Sequence, residues 1–283
     1  MVYHINMDFS VTEITMQIIN RNAALCENMN GIKLRILDYG HAISNEEWVG
    51  NVVSPMYARL YYILGGNPFV IINGEYHKLD IGKCYLFPTG FSFKHACSSS
   101  MEQIYFHINL SDSDGSDLLR AAEQMMEFTP TPESIQQLKK YASSEAPADS
   151  LRVKQLIYSD LLTLFDKYEI PLVTANYSKC VRLAIKHIKK DINLRLSVKQ
   201  LAAASFVSES TLSKKFKTEV GTTIGSYIDD LVLFEAEQLL LKTELSVQQI
   251  SERLGFCDQF YFSRRFKKKY GETPQKYRKL KLI

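Results

Sequence analysis

Near the C-terminus, a set of polar side chains is spaced for reading nucleic acid. Between Asp258 and Gly271, the residues Gln259, Tyr261, Ser263, Arg264 and Lys267 face outward, while Phe262, Phe266 and Tyr270, four apart, form one apolar stripe. The chemistry open to such an array is recognition rather than bond-making. The guanidinium of Arg264 can fork onto O6 and N7 of guanine, and the carboxamide of Gln259 can pair with adenine. Lys267, Lys268 and Lys269 suit phosphates or remain solvated charge, and Arg264 has the alternative of a phosphate clamp. Earlier in the chain, Ser210, Ser213, Lys214 and Lys217 lie around the apolar set Leu212, Phe216 and Val220. Ser210, Ser213 and Lys214 are shorter or less directional readers, and Lys217 is a phosphate candidate.

Helices must hold these side chains, and the sequence supplies their starts and stops. Ser246 caps a first helix, with Gln249 completing a capping box, and Gly255 ends it by entering the left-handed region at little cost. Asp258 caps the second helix, Gly271 stops it, and Thr273-Pro274 begins another. The same text occurs once before. Leu196-Ser197-Val198 matches Leu245-Ser246-Val247 at an offset of 49, and Gln200 matches Gln249. Past the turn the offset is 50, pairing Phe206 with Phe256, Ser208 with Asp258, Leu212 with Phe262, Phe216 with Phe266 and Gly221 with Gly271. One residue added in the second turn accounts for the slip, and the whole reads as a duplicated helix-turn-helix. Between the copies, a helix is expected from Ile224 to about Lys242, capped by Thr223. Its 19 residues span roughly 29 Å at about 1.5 Å each. That is close to the roughly 34 Å repeat of B-DNA, so two recognition helices can enter successive major grooves on one face.

On these residues, the region from about Ser178 to Leu280 resembles the DNA-binding domain of the AraC/XylS family of bacterial transcription regulators. The segment ISERLGFCDQFYFSRRFKKKYGETPQKYR follows the family signature most closely. Ile224 stands where a proline usually follows Thr223, and Val232 where many members carry arginine. The resemblance implies base contacts at Ser210, Ser213, Lys214, Gln259, Tyr261 and Arg264. It further implies a homodimer and, as in most members, an activator that meets RNA polymerase.

Charge divides the chain in two. Residues 1–175 carry 13 Lys and Arg against 20 Asp and Glu, whereas the remainder carries 21 against 11. Only the basic half suits a polyanion such as double-stranded DNA. The five cysteines, Cys26, Cys84, Cys97, Cys180 and Cys257, are odd in number and lack a short pairing motif, which suits reduced thiols in a cytoplasm. The first ten residues, MVYHINMDFS, show no signal-peptide pattern, and no stretch has the roughly twenty apolar residues of a membrane span.

From Ile32 to about Leu110 the pattern is six to eight short β-rich runs cut by turn signals, with Asn73-Gly74 the strongest hairpin signal. A small sandwich or barrel is expected. The run NGEYHKLDIGKCYLFPTG resembles the cupin-type sensor domain of many AraC-family members. His77, His95 and His107 are scattered and no His-x-His occurs, so neither a metal site nor a cofactor is expected. Trp48, Arg59, Tyr61, Tyr76, His77, Tyr105 and His107 are the effector-binding candidates, since sugar pockets stack rings on aromatic faces and fix hydroxyls with Arg or His. Packing in the core is the alternative for each of them.

Residues 117–141 and 151–168 are helix-periodic. The second carries a stripe of Val153, Ile157, Leu161 and Leu164 that either the barrel or a second copy must cover. The fold class expected is α+β multidomain. Residues 1–172 form a cupin-like sensing and dimerisation domain, Ile170 to Asn176 a linker, and residues 173–283 an all-α domain with two helix-turn-helix motifs. The function expected is sequence-specific transcription regulation answering to a small polar effector such as a sugar. A cupin-type metalloenzyme fused to a DNA-binding module, or a DNA-architectural protein, would be the alternatives.

Overall fold

The computed structural model describes residues 22–46, 48–53, 55–113, 115–120, 122–170 and 177–281. The N-terminal decapeptide and most of the expected linker lie outside them. A short helix, α1 (Ala23–Gly31), leads into β1 (Lys33–Asn45), β2 (Gly50–Val52), β3 (Ala58–Ile72), β4 (Glu75–Lys78), β5 (Cys84–Phe87), β6 (Phe93–Ser111) and β7 (Met126–Phe128). These strands join one antiparallel sheet in the order β1-β6-β3-β5-β7, with β2 on β6 and β4 on β3.

Three of the strands are much longer than the sequence runs suggest. β3 continues through Gly65-Gly66 because bulges absorb the interruption, with register shifts between Ile63 and Gly65 and between Gly66 and Pro68. Gly66 is left-handed at φ 84, and any side chain there would collide with the Ser100 carbonyl. Asn73 and Gly74, at φ 52 and 89, turn the β3–β4 hairpin as expected.

The helical reading of residues 117–141 is corrected. Only α2 (Pro132–Ala142) forms there, because Met126–Phe128 pairs with β5 and Leu118 and Leu119 are buried in the preceding turn. α3 (Pro147–Lys167) covers the other periodic stretch. Its Val153, Ile157, Leu161 and Leu164 pack on Leu60, Leu86, Phe106 and Ile108 of the sheet. This stripe is therefore covered from within the chain and is not open to a second copy.

Under α3 sits a buried acid. The Tyr62 hydroxyl donates to Asp160 Oδ2 at 2.5 Å, and burial raises the Asp160 pKa from the usual 3.8 to about 6 against the lowering effect of that bond. Between those two pH values the folded chain keeps a proton that the unfolded chain has released. The contribution is thus fully present below pH 3.8 and lost as pH rises through about 6. We expect this to cost about 1–2 kcal/mol by neutral pH, after allowance for partial solvent access. Asp160→Asn should flatten the fall between pH 4 and 6 in denaturant titrations; an unchanged slope would place the titrating group elsewhere.

The C-terminal region is helical: α4 (Lys179–Lys190), α5 (Val198–Ala204), α6 (Glu209–Val220), α7 (Ile224–Lys242), α8 (Val247–Arg253), α9 (Gln259–Tyr270) and α10 (Pro274–Lys281). Both expected capping boxes form, Ser197 with Gln200 and Ser246 with Gln249. α7 spans the expected residues, with Thr223 accepting from the Ser226 amide. It is apolar on more than one side, and its Tyr227, Leu231, Val232 and Leu240 share one core with Leu212 and Phe216 of α6 and Phe262 and Phe266 of α9. Val232 is wholly buried, so that position serves packing rather than a phosphate.

The pairing of Phe206 with Phe256 is also corrected. Phe206 is left-handed at φ 59 and 87% exposed, whereas Phe256 is buried. Its true counterpart is Gly255, at φ 78: Val207 donates to Ala202 O as Phe256 donates to Ser251 O, 3.1 and 3.0 Å. The added residue is Cys257, which sits after this turn. A side chain in the left-handed region costs about 1–2 kcal/mol, and glycine's own entropy returns about 0.5–1 kcal/mol of that. Phe206→Gly should therefore stabilise the chain by roughly 0.5–1 kcal/mol in urea unfolding. A lower midpoint would mean that the ring has a packing role.

Candidate functional site

The second recognition array is set by its cap. Asp258 accepts from the amides of Phe260 and Tyr261 at 2.8 and 2.6 Å, and the Tyr261 amide holds its carboxyl below the ordinary range. A charged cap at a helix N-terminus also complements the helix dipole. With Phe262 and Phe266 fully buried behind, the outer side of α9 presents Phe260, Arg264, Lys267 and Lys268, all exposed. Gln259 and Ser263 are half-buried, and the Ser263 hydroxyl is turned back onto the Gln259 carbonyl at 2.7 Å.

Two candidates are placed differently from the rest. The half-buried Tyr261 leans on Phe256, and its hydroxyl accepts from Arg265 Nη1 at 2.8 Å. Its ring also lies 5.9 Å under the Arg264 guanidinium, so Tyr261 props that side chain. Lys269 is drawn inward to Asp230 of α7, 2.6 Å from Oδ1, and does not join the exposed cations. Arg265 is likewise tied to Asp229 of α7. These two ion pairs clamp α9 to α7.

The first array is simpler. Ser208 accepts from the Thr211 amide at 3.2 Å and caps α6, whose Ser210, Ser213, Lys214 and Lys217 are all exposed. At the offset of 50 they correspond to Phe260, Ser263, Arg264 and Lys267. Phe260 was thus missed by the sequence reading. Its signal was present in the offset, because Ser210 was a candidate and Phe260 occupies the matching place. An exposed phenylalanine at a recognition-helix N-terminus can contact a thymine methyl group.

On the sheet, five of the seven effector candidates come together. Across β3 and β6, Arg59 faces His107 and Tyr61 faces Tyr105, while Trp48 lies 6.4 Å from Tyr61. Gly40 of β1 faces Tyr105, and a side chain there would press on its ring. Burial, then Asp38, raises the Tyr105 hydroxyl to about 12, so it remains a neutral donor. His107 Nδ1 lies 3.5 Å from Asp38 Oδ2. Tyr76 is not brought to this group: it stacks on Phe69 at the hairpin and is 62% exposed. His77 lies opposite Val70 in the same hairpin. Among the described residues, no group of three or more His, Cys, Asp or Glu could hold a metal ion, and no helix is long and apolar enough to cross a membrane.

Sheet and helices also meet directly. Tyr57 packs on Phe234 of α7 at 5.3 Å, and Lys242 donates to the Leu37 carbonyl. Between them lies a cavity of about 400 Å³ lined by Arg35, Met56, Asp117, Leu231 and Lys242, among others, and by none of the seven effector candidates.

Comparison with known proteins bears on the helical half first. Residues 201–280 match the family described as a helix-turn-helix domain. The chain is similar to the Msm operon regulatory protein of Streptococcus mutans, 24% identical over 232 residues, covering 78% of this chain and 83% of that protein. It is also similar to the xylose operon regulatory protein of Escherichia coli K12, 30% identical over 199 residues. That match covers 60% of this chain and half of the relative's length. In fold, the whole arrangement resembles ToxT from Vibrio cholerae, with a TM-score of 0.62 at 14% identity, covering 88% of this chain and 98% of that one.

Proposed function

We propose that this chain, a transcription regulator rather than an enzyme whose C-terminal region is a helix-turn-helix domain of the AraC type, reads one double-stranded DNA site with both of its helix pairs. The observation that carries this reading is the pair of capped helices, α6 and α9, set by one shared spacer with their polar sides exposed. In it, Ser210, Ser213 and Lys214 read bases from α6, and Gln259, Phe260 and Arg264 read them from α9, with Tyr261 as support. Lys217, Lys267 and Lys268 neutralise phosphates. Selection of duplexes from a random library by the purified chain tests it. Two base clusters about 10 bp apart should be enriched. No enrichment over random duplex would make the chain an architectural protein.

The N-terminal half is a cupin-like sensor in this proposal, and the protein a cytoplasmic homodimer that activates transcription through RNA polymerase. The effector is a small polar molecule such as a sugar, stacked on Trp48, Tyr61 and Tyr105 and held by Arg59 and His107. The two operon regulators above suit a sugar signal, since one is named for xylose. We expect a thermal-shift screen of the full chain against xylose, other sugars and sugar acids to find a ligand whose effect Tyr105→Ala abolishes. A second reading follows from the 400 Å³ cavity, whose Arg35 and Lys242 beside Met56 and Leu231 suit an acid with an apolar body. A ligand lost on Lys242→Ala and retained on Tyr105→Ala would favour that cavity.

A further inference from the structure

The two helix pairs are copies of one plan, so a place where they differ is informative. Across the turn of the first pair, Ser205, Phe206 and Val207 take the places of Leu254, Gly255 and Phe256 in the second. In the second pair Leu254 and Phe256 are buried, and the Phe256 ring packs 4.9 Å from that of Phe262. The first pair has a smaller side chain at each of these two positions, and a large one where the glycine stands. The result is an open groove of about 380 Å³, lined by Lys179 and Leu183 of α4, by the three turn residues and by Lys215 of α6, among others. None of the DNA-reading candidates lines it.

Phe206 stands at the edge of the groove, 87% exposed, in a left-handed conformation that side chains disfavour and that the second copy gives to glycine. Strain of this kind persists where function rather than packing selects the residue. Ser205 lines the groove at 4% exposure, and its Oγ is buried with no hydrogen-bond partner among the described residues. The second turn shows what such a place accepts, because a stretch of chain lies on it. The Leu194 amide donates to the Leu254 carbonyl at 3.0 Å, and Arg195 Nη2 donates to the Glu252 carbonyl at 3.4 Å. A side chain at Gly255 would press on Arg195. Charge then selects the occupant of the first turn. Lys179 and Lys215 are exposed at the rim, and Lys186, one helical turn beyond Leu183, is exposed as well. The nearby carboxylate of Glu219 is engaged, accepting from the Ser178 amide at 2.7 Å.

We propose that this groove is a protein-docking site, separate from both DNA-reading arrays, for an extended acidic segment of a partner protein. The segment lies across the first turn as Leu194 and Arg195 lie across the second. It lays an apolar side chain against Phe206 and Leu183 and sets its carboxylates on Lys179 and Lys215. The Ser205 hydroxyl gains a hydrogen-bond partner in its backbone. Phe206 is the anchor, a large ring held outward by the turn at the cost of backbone strain.

The test selects a displayed library of random peptides on the purified full chain, then titrates the enriched peptides by fluorescence anisotropy. They should carry Asp or Glu on either side of an aromatic or large aliphatic residue. Phe206→Gly should weaken their binding about tenfold or more, and so should Ser205→Leu, which fills the groove as Leu254 fills its place in the second copy. Lys215→Glu should weaken it with a loss that shrinks as salt rises. Affinity for the selected duplex should be unaltered by Phe206→Gly. Circular dichroism confirms the fold; should Ser205→Leu fail to fold, Phe206→Gly, which relieves strain, decides alone. A library that yields no peptide, peptides without acidic residues, or peptides that bind Phe206→Gly as tightly as the parent chain overturn the proposal. Loss of duplex affinity in Phe206→Gly overturns it too, by assigning the ring to the DNA interface. So does self-association that Phe206→Gly abolishes, which would put a second copy of the chain in the groove.

Discussion

Arg264→Ala should weaken binding at the selected duplex by about 1–3 kcal/mol, while binding to random duplex falls far less. The expectation comes from where the guanidinium stands. It is exposed on the outer side of α9, one turn along from Phe260, and rests over the Tyr261 ring, whereas its neighbour Arg265 is tied to Asp229. A guanidinium held this way keeps its donors for a guanine edge, and losing a bidentate pair removes preference at one or two base pairs. Phe260→Ala should act on a thymine-bearing position instead, with a smaller loss, since it removes only an apolar contact. An equal loss of affinity on selected and random duplexes would make Arg264 a phosphate clamp.

The helical half was the more legible in sequence, for a physical reason. Caps, stops and four-residue spacing are local signals, and Ser246, Asp258, Gly271 and the Phe262–Phe266 stripe all act where the sequence places them. Duplication added a second copy of each signal. It also misled at one point, because Phe206 looks like Phe256 while doing the backbone work of Gly255. Composition cannot reveal that a phenylalanine takes a left-handed turn; the hydrogen-bond register does.

The sheet was legible in type but not in extent. Gly65-Gly66 reads as a stop, yet pairing with β6 carries the chain through it, and that partner is far away in sequence. Met126–Phe128 likewise becomes a strand only because β5 offers an edge. At the candidate sites, residue type was informative and partner was not. Lys269 and Lys267 look alike in sequence, but Asp230 ties the first to α7 and leaves the second exposed. Arg59 reads as a ligand contact, and nothing local shows that Tyr57, packed on Phe234, places it at the boundary with α7.

The central claim is that one chain reads two successive major grooves because α7 fixes the spacing of its recognition helices. The structure gives α7 19 residues, Ile224–Lys242, or roughly 29 Å at about 1.5 Å each. Its two sides are buried among the residues of α6 and α9, and Asp229 and Asp230 add ion pairs to Arg265 and Lys269. A spacer held in this way neither lengthens nor twists to follow its target. The direct measurement is the affinity of the purified chain for the selected duplex after about 5 bp, and separately about 10 bp, are inserted between its two base clusters. The half-turn insertion moves the second cluster to the opposite face, and affinity should fall by about a hundredfold, towards what one helix pair supports. The full-turn insertion should not restore it, because the cluster returns to the correct face but out of reach. Unchanged affinity after the half-turn insertion would contradict the account and leave a single reading helix, α9.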